Sequence, residues 1–178
     1  MAKQKLNLQA YQEGILERLR GLTESGHASF ASKLGVRIGK VYWLVALDDI
    51  SEVLPVPEVL PVPLTKSWFM GMANVRGNLY ALTDLDAYTG NAAAVITMES
   101  RILLAHNRFD INAGLLVDQL IGLRNLEEMQ IQQDIKLQDI EQAPAWQLAG
   151  YKDAGGQYWS ELDLGMLLGQ NEFMQVAA

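Results

Sequence analysis

Leu8, Tyr11, Ile15, Leu19 and Leu22 recur at steps of three and four with mostly polar residues between them, which lays one apolar stripe along a helix. Gly21 and Gly26 stand where such a helix would end. From Val36 the pattern changes to short apolar, β-branched and aromatic runs broken by Gly, Pro, Asn and Asp, as in the strands of a small barrel or sandwich. The runs predict strands at 35–38, 42–47, 50–54, 78–82, 94–98, 101–105, 113–117 and 157–162. Between Leu54 and Pro63 the chain repeats Leu-Pro-Val-Pro; proline cannot donate to a ladder, so this stretch is expected to be an extended connection. Residues 125–145 turn polar and read as a long loop or short helix. Leu164, Leu167, Leu168 and Met174, interrupted by Gly169, predict a short C-terminal helix.

An internal two-fold pattern runs through these elements. The block Gly77-Asn78-Leu79-Tyr80-Ala81-Leu82-Thr83-Asp84-Leu85 matches Gly156-Gln157-Tyr158-Trp159-Ser160-Glu161-Leu162-Asp163-Leu164 at a constant spacing of 79 residues. Trp68 and Trp146 precede the two blocks at distances that differ by one residue. A second match joins Leu47-Asp48-Asp49-Ile50 and Val53 to Val117-Asp118-Gln119-Leu120 and Leu123 at a spacing of 70. The two spacings differ by about nine residues, which places an insertion in the Gln-rich stretch of the second half. Duplication predicts two similar barrels side by side.

Composition narrows the function. A chain of 178 residues, 49% hydrophobic and 20% charged, is long enough for one globular core or two small fused lobes. The longest apolar runs are of strand length, well short of the roughly 20 residues of a membrane helix, so no direct membrane insertion is expected. Zero cysteines, and an N-terminal stretch without an apolar signal core, favour the cytoplasm. A net charge of −7 and a pI near 4.8 argue against nucleic acid as a partner, because phosphate backbones would be repelled.

No catalytic constellation emerges. The chain has two histidines, His27 and His106, and no cysteine to act with them. The acidic pairs Asp48-Asp49 and Glu127-Glu128 lack the histidine support of a metal site. The stretch from Gly35 to Gly39-Lys40-Val41 is one residue short of a phosphate-binding loop and lacks its Ser/Thr. Catalytic residues, metal and cofactor are therefore all expected to be none, and the chain is read as a non-enzyme.

The segment Trp68-Phe69-Met70-Gly71-Met72-Ala73-Asn74-Val75-Arg76-Gly77-Asn78-Leu79-Tyr80-Ala81-Leu82-Thr83-Asp84-Leu85 resembles the signature of the CheW family of signalling coupling proteins, in which an apolar Gly-containing segment leads to Asn-Leu-Arg-Gly, a strand and Asp-Leu. Its Ala-Asn-Val-Arg-Gly form is similar to the PilI-type branch of type IV pilus chemosensory systems, which serve twitching motility. Ile50-Ser51-Glu52-Val53-Leu54, Gly114-Leu115-Leu116-Val117-Asp118 and Glu161-Leu162-Asp163-Leu164 resemble three further family elements, so the likeness covers roughly residues 36–168. Tyr80-Ala81 in place of an apolar-Pro step, and Val75 in place of Leu, depart from the pattern.

The resemblance implies a mainly β, CheW-like fold of two small five-stranded β-barrel subdomains with an N-terminal helix and a short C-terminal helix. It divides the chain into residues 1–30, the amphipathic helix and linker, and 31–178, with barrel halves at 31–92 and 93–178. It further implies an adaptor, cytoplasmic and recruited to membrane-associated receptor arrays, that binds the regulatory domain of a CheA-type histidine kinase and the cytoplasmic tip of a methyl-accepting chemoreceptor. The coupling surface is placed at Ile50, Glu52, Val53, Gly71, Asn74, Val75, Arg76 and Gly77, with Glu52 and Arg76 pairing across neighbouring strands. The alternative is a CheW-like or other small-barrel peptide-binding scaffold with a different signalling partner.

Overall fold

A computed structural model describes residues 32–132 and 144–178; the predicted N-terminal helix lies outside the described residues. Eleven strands are present among the described residues: β1 (Ser32–Ile38), β2 (Val41–Ala46), β3 (Ile50–Pro55), β4 (Phe69–Val75), β5 (Asn78–Asp84), β6 (Arg101–Ala105), β7 (Ala113–Val117), β8 (Gln119–Asn125), β9 (Gln130–Gln132), β10 (Gln147–Lys152) and β11 (Tyr158–Leu162). Three short helices accompany them, α1 (Leu85–Tyr88), α2 (Leu164–Leu168) and α3 (Asn171–Met174). Gly169 follows α2 and separates it from α3.

The strands form two sheets, of order β8-β1-β2-β11-β10-β9 and β3-β6-β7-β5-β4. The first therefore holds six strands among the described residues, one more than expected. Neither sheet is a contiguous half of the chain, which corrects the division at 92/93: β6 and β7 from the expected second half pair with β3 and β5, while β1 pairs with β8 and β2 with β11. The repeat explains the exchange. β1 to β5 correspond in order to β6, β7, β8, β10 and β11, and each repeat sends its first two strands to one sheet and its other three to the other. The chain crosses between sheets at Leu47–Asp49, a 3-10 turn, and again at Asp118.

The repeated ends superpose in detail. The Asp84 amide donates to the Trp68 carbonyl at 2.9 Å, and the Asp163 amide to that of Trp146 at 2.8 Å. Each aspartate then caps the helix that follows, accepting from the Ala87 and Met166 amides respectively, which satisfies a backbone donor that a helix start otherwise leaves orphaned.

Alternation along the strands assigns side chains to a central core and to one inside each sheet, and Trp68, Phe69 and Ala87 form a fourth, smaller cluster. Leu34, Val36 and Ile38 of β1, Trp43 and Val45 of β2, and Leu103, Leu115 and Val117 of the other sheet meet in a central core between the sheets, closed by Trp146, Leu164, Leu167 and Phe173. The intervening residues Leu82, Ile102, Leu104 and Leu116 fill the inside of the second sheet with Ala73 and Tyr80. Leu44, Tyr151 and Trp159 fill the inside of the first. At about 1.5–3 kcal/mol for each fully buried aliphatic side chain, the central core is the larger bond between the lobes. Both sheets curl around their inner clusters into barrel-like lobes, since residues of both edges of the second sheet, Leu54 and Val75, pack on its inner cluster.

The expected strand at 94–98 is absent. The Ala94 amide is held by Asp84 Oδ2 at 2.7 Å, and the chain then turns at Thr97, whose carbonyl accepts from the Ser100 amide. The segment pairs with no strand among the described residues, and Val95, Ile96 and Met98 face solvent. The run is apolar without being paired. Strands β4, β8, β9 and β10 were not predicted; β9 and a 3-10 turn at Leu126–Glu128 occupy part of the polar stretch, and residues 133–143 lie outside the described residues.

Candidate functional site

Val75 pairs with Asn78, leaving Arg76 and Gly77 as a two-residue turn with φ of 52° and 89°. Positive φ at both central residues matches the twist of the flanking strands, as in a type I′ hairpin. Arginine is an uncommon occupant of this region. The turn is held by Asn74, whose Oδ1 accepts from the Gly77 amide at 2.8 Å. Gly71 lies further back in β4 at φ 129°, where the Pro-rich segment runs alongside: Leu60 and Met72 exchange backbone hydrogen bonds of 2.8 and 2.9 Å. The Leu-Pro-Val-Pro stretch thus covers the edge of β4 as an extended connection, in keeping with its sequence.

The register of β3 shifts between Ile50 and Glu52. Ser51, left over by this bulge, bonds through its hydroxyl to the Leu104 and Ala105 carbonyls. The extra residue breaks strict alternation, so Ile50 and Val53, three apart, both pack on the central core. Val53 is only 9% exposed, which corrects its placement on a coupling surface: its side chain belongs to the fold. Ile50 is half-buried, while Asn74 and Arg76 are exposed.

Arg76 Nη2 donates to Glu52 Oε1 at 2.7 Å. The pair forms as expected but not between neighbours, because β3 and β4 are the opposite edges of the five-stranded sheet. It bridges the two edges of that sheet. With the Arg76 side chain 69% exposed, such a pair stabilises by about 0–1 kcal/mol; what it fixes is the position of the turn relative to β3. The positions matching Glu52 and Arg76 in the second repeat are Gly122 and Gly155, so the bridge belongs to one lobe alone.

The pairing register also gathers apolar residues on the outer face of this hairpin. Leu60 stands opposite Met72, and Met72 opposite Ala81; Leu79, two residues before Ala81, points to the same side. Leu60 and Leu79 are 58% and 53% exposed. Sequence reasoning missed this patch, because in the uninterrupted run Leu79-Tyr80-Ala81-Leu82 nothing distinguishes an outward leucine from a buried one.

The two aspartates at the sheet crossings both have raised carboxyls. Asp49 pairs with Arg108, and burial pushes its carboxyl above the ordinary value of 3.8, an effect opposed by Arg108 and Lys33 and reinforced by the nearby Asp163. Asp118 is likewise raised by burial against the pull of Arg37 and the Gly39 amide, with Asp86 and Asp84 adding to the rise. Among the described residues no group of three His, Asp or Glu could hold a metal ion, and no helix is long and apolar enough to cross a membrane.

Residues 33–172, spanning both sheets and the hairpin, match the CheW-like domain. The chain belongs to the CheW-like family. Over 94 residues it is 32% identical to Protein PilI of Pseudomonas aeruginosa, covering 53% of this chain and 52% of that protein. Over 85 residues it is 28% identical to the chemotaxis protein CheW of Thermotoga maritima, covering 48% and 55%. These alignments span about half the length of each relative. The crystal structure of the scaffolding protein TtCheW from Thermoanaerobacter tengcongensis superposes with a TM-score of 0.63 over 80% of this chain and 94% of that one, at 17% identity. That likeness establishes the CheW-like two-lobed β fold.

Proposed function

We propose that this CheW-like protein is a non-catalytic adaptor that couples the cytoplasmic tip of a methyl-accepting chemoreceptor to the regulatory domain of a CheA-type histidine kinase, within a type IV pilus chemosensory system. It acts in the cytoplasm at receptor arrays. The observation that carries the reading is the Glu52–Arg76 bridge, which ties the signature turn to β3 in one lobe while its twofold counterpart is a pair of glycines. A turn held by an ion pair and by Asn74, next to exposed Leu60 and Leu79, supplies a pre-positioned polar rim beside an apolar face, a combination suited to docking a helical partner. The likeness to PilI supports the pilus branch.

Within this reading Ile50, Glu52, Asn74, Val75 and Arg76 contact or border the partner, and Gly71 and Gly77 shape the hairpin. Calorimetric titration with the regulatory domain of the CheA-type kinase from the same organism tests it. Saturable 1:1 binding in the micromolar range or tighter is expected; absence of heat and of co-elution at high concentration overturns the adaptor reading.

A further inference from the structure

The two crossings between the sheets are built alike. At the first, the Asp49 carbonyl accepts from the His106 amide at 2.8 Å and its carboxylate pairs with Arg108, so the segment leading into β3 is fastened to the β6–β7 turn. At the second, the Asp118 amide donates to the Arg37 carbonyl at 2.9 Å, and its Oδ2 accepts from the Gly39 amide at 2.9 Å and from Arg37 Nη1 at 3.3 Å. This fastens the segment leading into β8 to the β1–β2 turn. Each clamp joins an aspartate on the crossing chain to an arginine of the sheet being entered, Arg108 on the β6–β7 turn and Arg37 near the end of β1. Each guards the first residues of an exchanged edge strand.

Only the first clamp lies beside the candidate coupling surface. Ile50 follows Asp49 directly, and Glu52 is two residues further along an edge strand bonded on one side only, to β6. The bulge at Ser51 already interrupts that ladder, so the start of β3 depends on what holds Asp49. The Arg108 side chain is half exposed and lies over the Phe109 ring, 5.0 Å from its centroid. Phe109 in turn packs so closely on α2 that a methyl at Gly165 would sit 3.0 Å from its ring. The turn bearing Arg108 is therefore anchored on the other lobe. Lys33 and Asp163 are the remaining charges facing Asp49, and Lys33 is engaged by Glu161 at 2.8 Å.

We propose that Asp49 and Arg108 are positioning residues for coupling: they touch no partner, but they fix the start of β3 and so hold Glu52 where it can bridge to Arg76 and set the signature turn. This rests on the adaptor reading for its functional half. Removing the clamp should loosen the start of β3 locally, because there the ladder is interrupted at Ser51 and Ile50 is only half-buried, whereas Val53 and Leu54 further along are held by packing and β6 and β7 are inner strands bonded on both sides.

Amide hydrogen exchange on the full chain, compared between the parent, Arg108→Ala, Arg108→Lys and Arg37→Ala, tests the clamp without any partner. In Arg108→Ala the amides at the start of β3 should exchange at least tenfold faster while those of Leu103 and Leu115 keep their rates; Arg108→Lys should recover most of the protection, and Arg37→Ala should loosen β8 and leave β3 alone. Unchanged β3 exchange, or acceleration of all strands alike, overturns the clamp. Titration of Arg108→Ala with the kinase regulatory domain and with the receptor tip separates the functional half: a fivefold or larger loss of affinity for either supports it. Local loosening with both affinities intact overturns the coupling role of β3 while the clamp itself stands.

Discussion

Gly71 approaches the Leu60 carbonyl so closely that a Cβ on the glycine would lie 2.3 Å from the oxygen. Backbone cannot yield there as a flexible side chain could, because Leu60 and Met72 are bonded to each other in both directions. Gly71→Ala combines this clash with a φ that L-residues rarely adopt, and is expected to destabilise the fold by about 2–4 kcal/mol, read as a lower urea midpoint. Gly77 has nothing within 4 Å of the corresponding position, so Gly77→Ala bears only the backbone cost, about 1–2 kcal/mol. Equal losses at the two sites would show that the Pro-rich segment is not held against β4.

The Glu52–Arg76 pair predicts a separation of binding from stability. Arg76→Glu should shift unfolding by no more than about 1 kcal/mol yet weaken binding to the receptor tip or kinase by tenfold or more. The double exchange Glu52→Arg with Arg76→Glu should recover a large part of that loss. Because the pair is exposed, its influence should fade between low and high salt. An Arg76→Glu protein that binds as the parent does would remove the bridge from the coupling mechanism.

The duplicated caps predict unequal losses. Asp84 Oδ1 accepts from the Ala87 amide and Oδ2 from the Ala94 amide, and the residue is buried. Asp163 offers the same cap to Met166 in a half-buried setting. Removing Asp163 should cost about 1 kcal/mol as a lost cap, whereas Asp84→Ala also leaves the partly buried Ala94 amide without its partner, for a total of about 2 kcal/mol. Chemical denaturation of both variants checks the ranking, and a larger loss at Asp163 would overturn it.

These comparisons also indicate what the sequence could reveal. The strand–Asp–helix blocks were legible because capping and hairpin chemistry fix residue types at fixed spacing: Gly77 and Gly156 both take positive φ, and Asp84 and Asp163 both cap. The exchange of β3 and β8 between lobes was not legible, since a repeat marks which segments are alike and leaves open which sheet each one joins. Strand β4 was hidden because Gly71 and Asn74 are residue types that favour turns, yet one serves a close backbone approach and the other the hairpin cap. The 94–98 run failed the other way, since its apolar residues satisfy the strand pattern without any edge to pair with. At the candidate site Glu52 and Arg76 were found by resemblance, whereas Leu60 and Leu79 needed the register of three chain segments to place them on one face.

Asp118 predicts a pH dependence with a definite sign. Burial raises its carboxyl above the ordinary 3.8 despite Arg37 and the Gly39 amide, so between 3.8 and the native value the folded state binds more protons than the unfolded one. The carboxylate therefore weighs against folding at neutral pH, and this penalty is relieved as pH falls through the native value toward 3.8. Arg37→Ala removes a positive charge 3.3 Å from Asp118 Oδ2 and should raise the carboxyl further, enlarging the penalty only where Asp118 is ionised. The variant's loss of stability should thus be greater at pH 7 than at pH 4, measured by urea unfolding at both, and the Asp118 carboxyl carbon should titrate above 3.8 in the parent and higher in the variant. A loss equal at the two pH values would assign Arg37 a packing role and leave the second crossing without an electrostatic clamp.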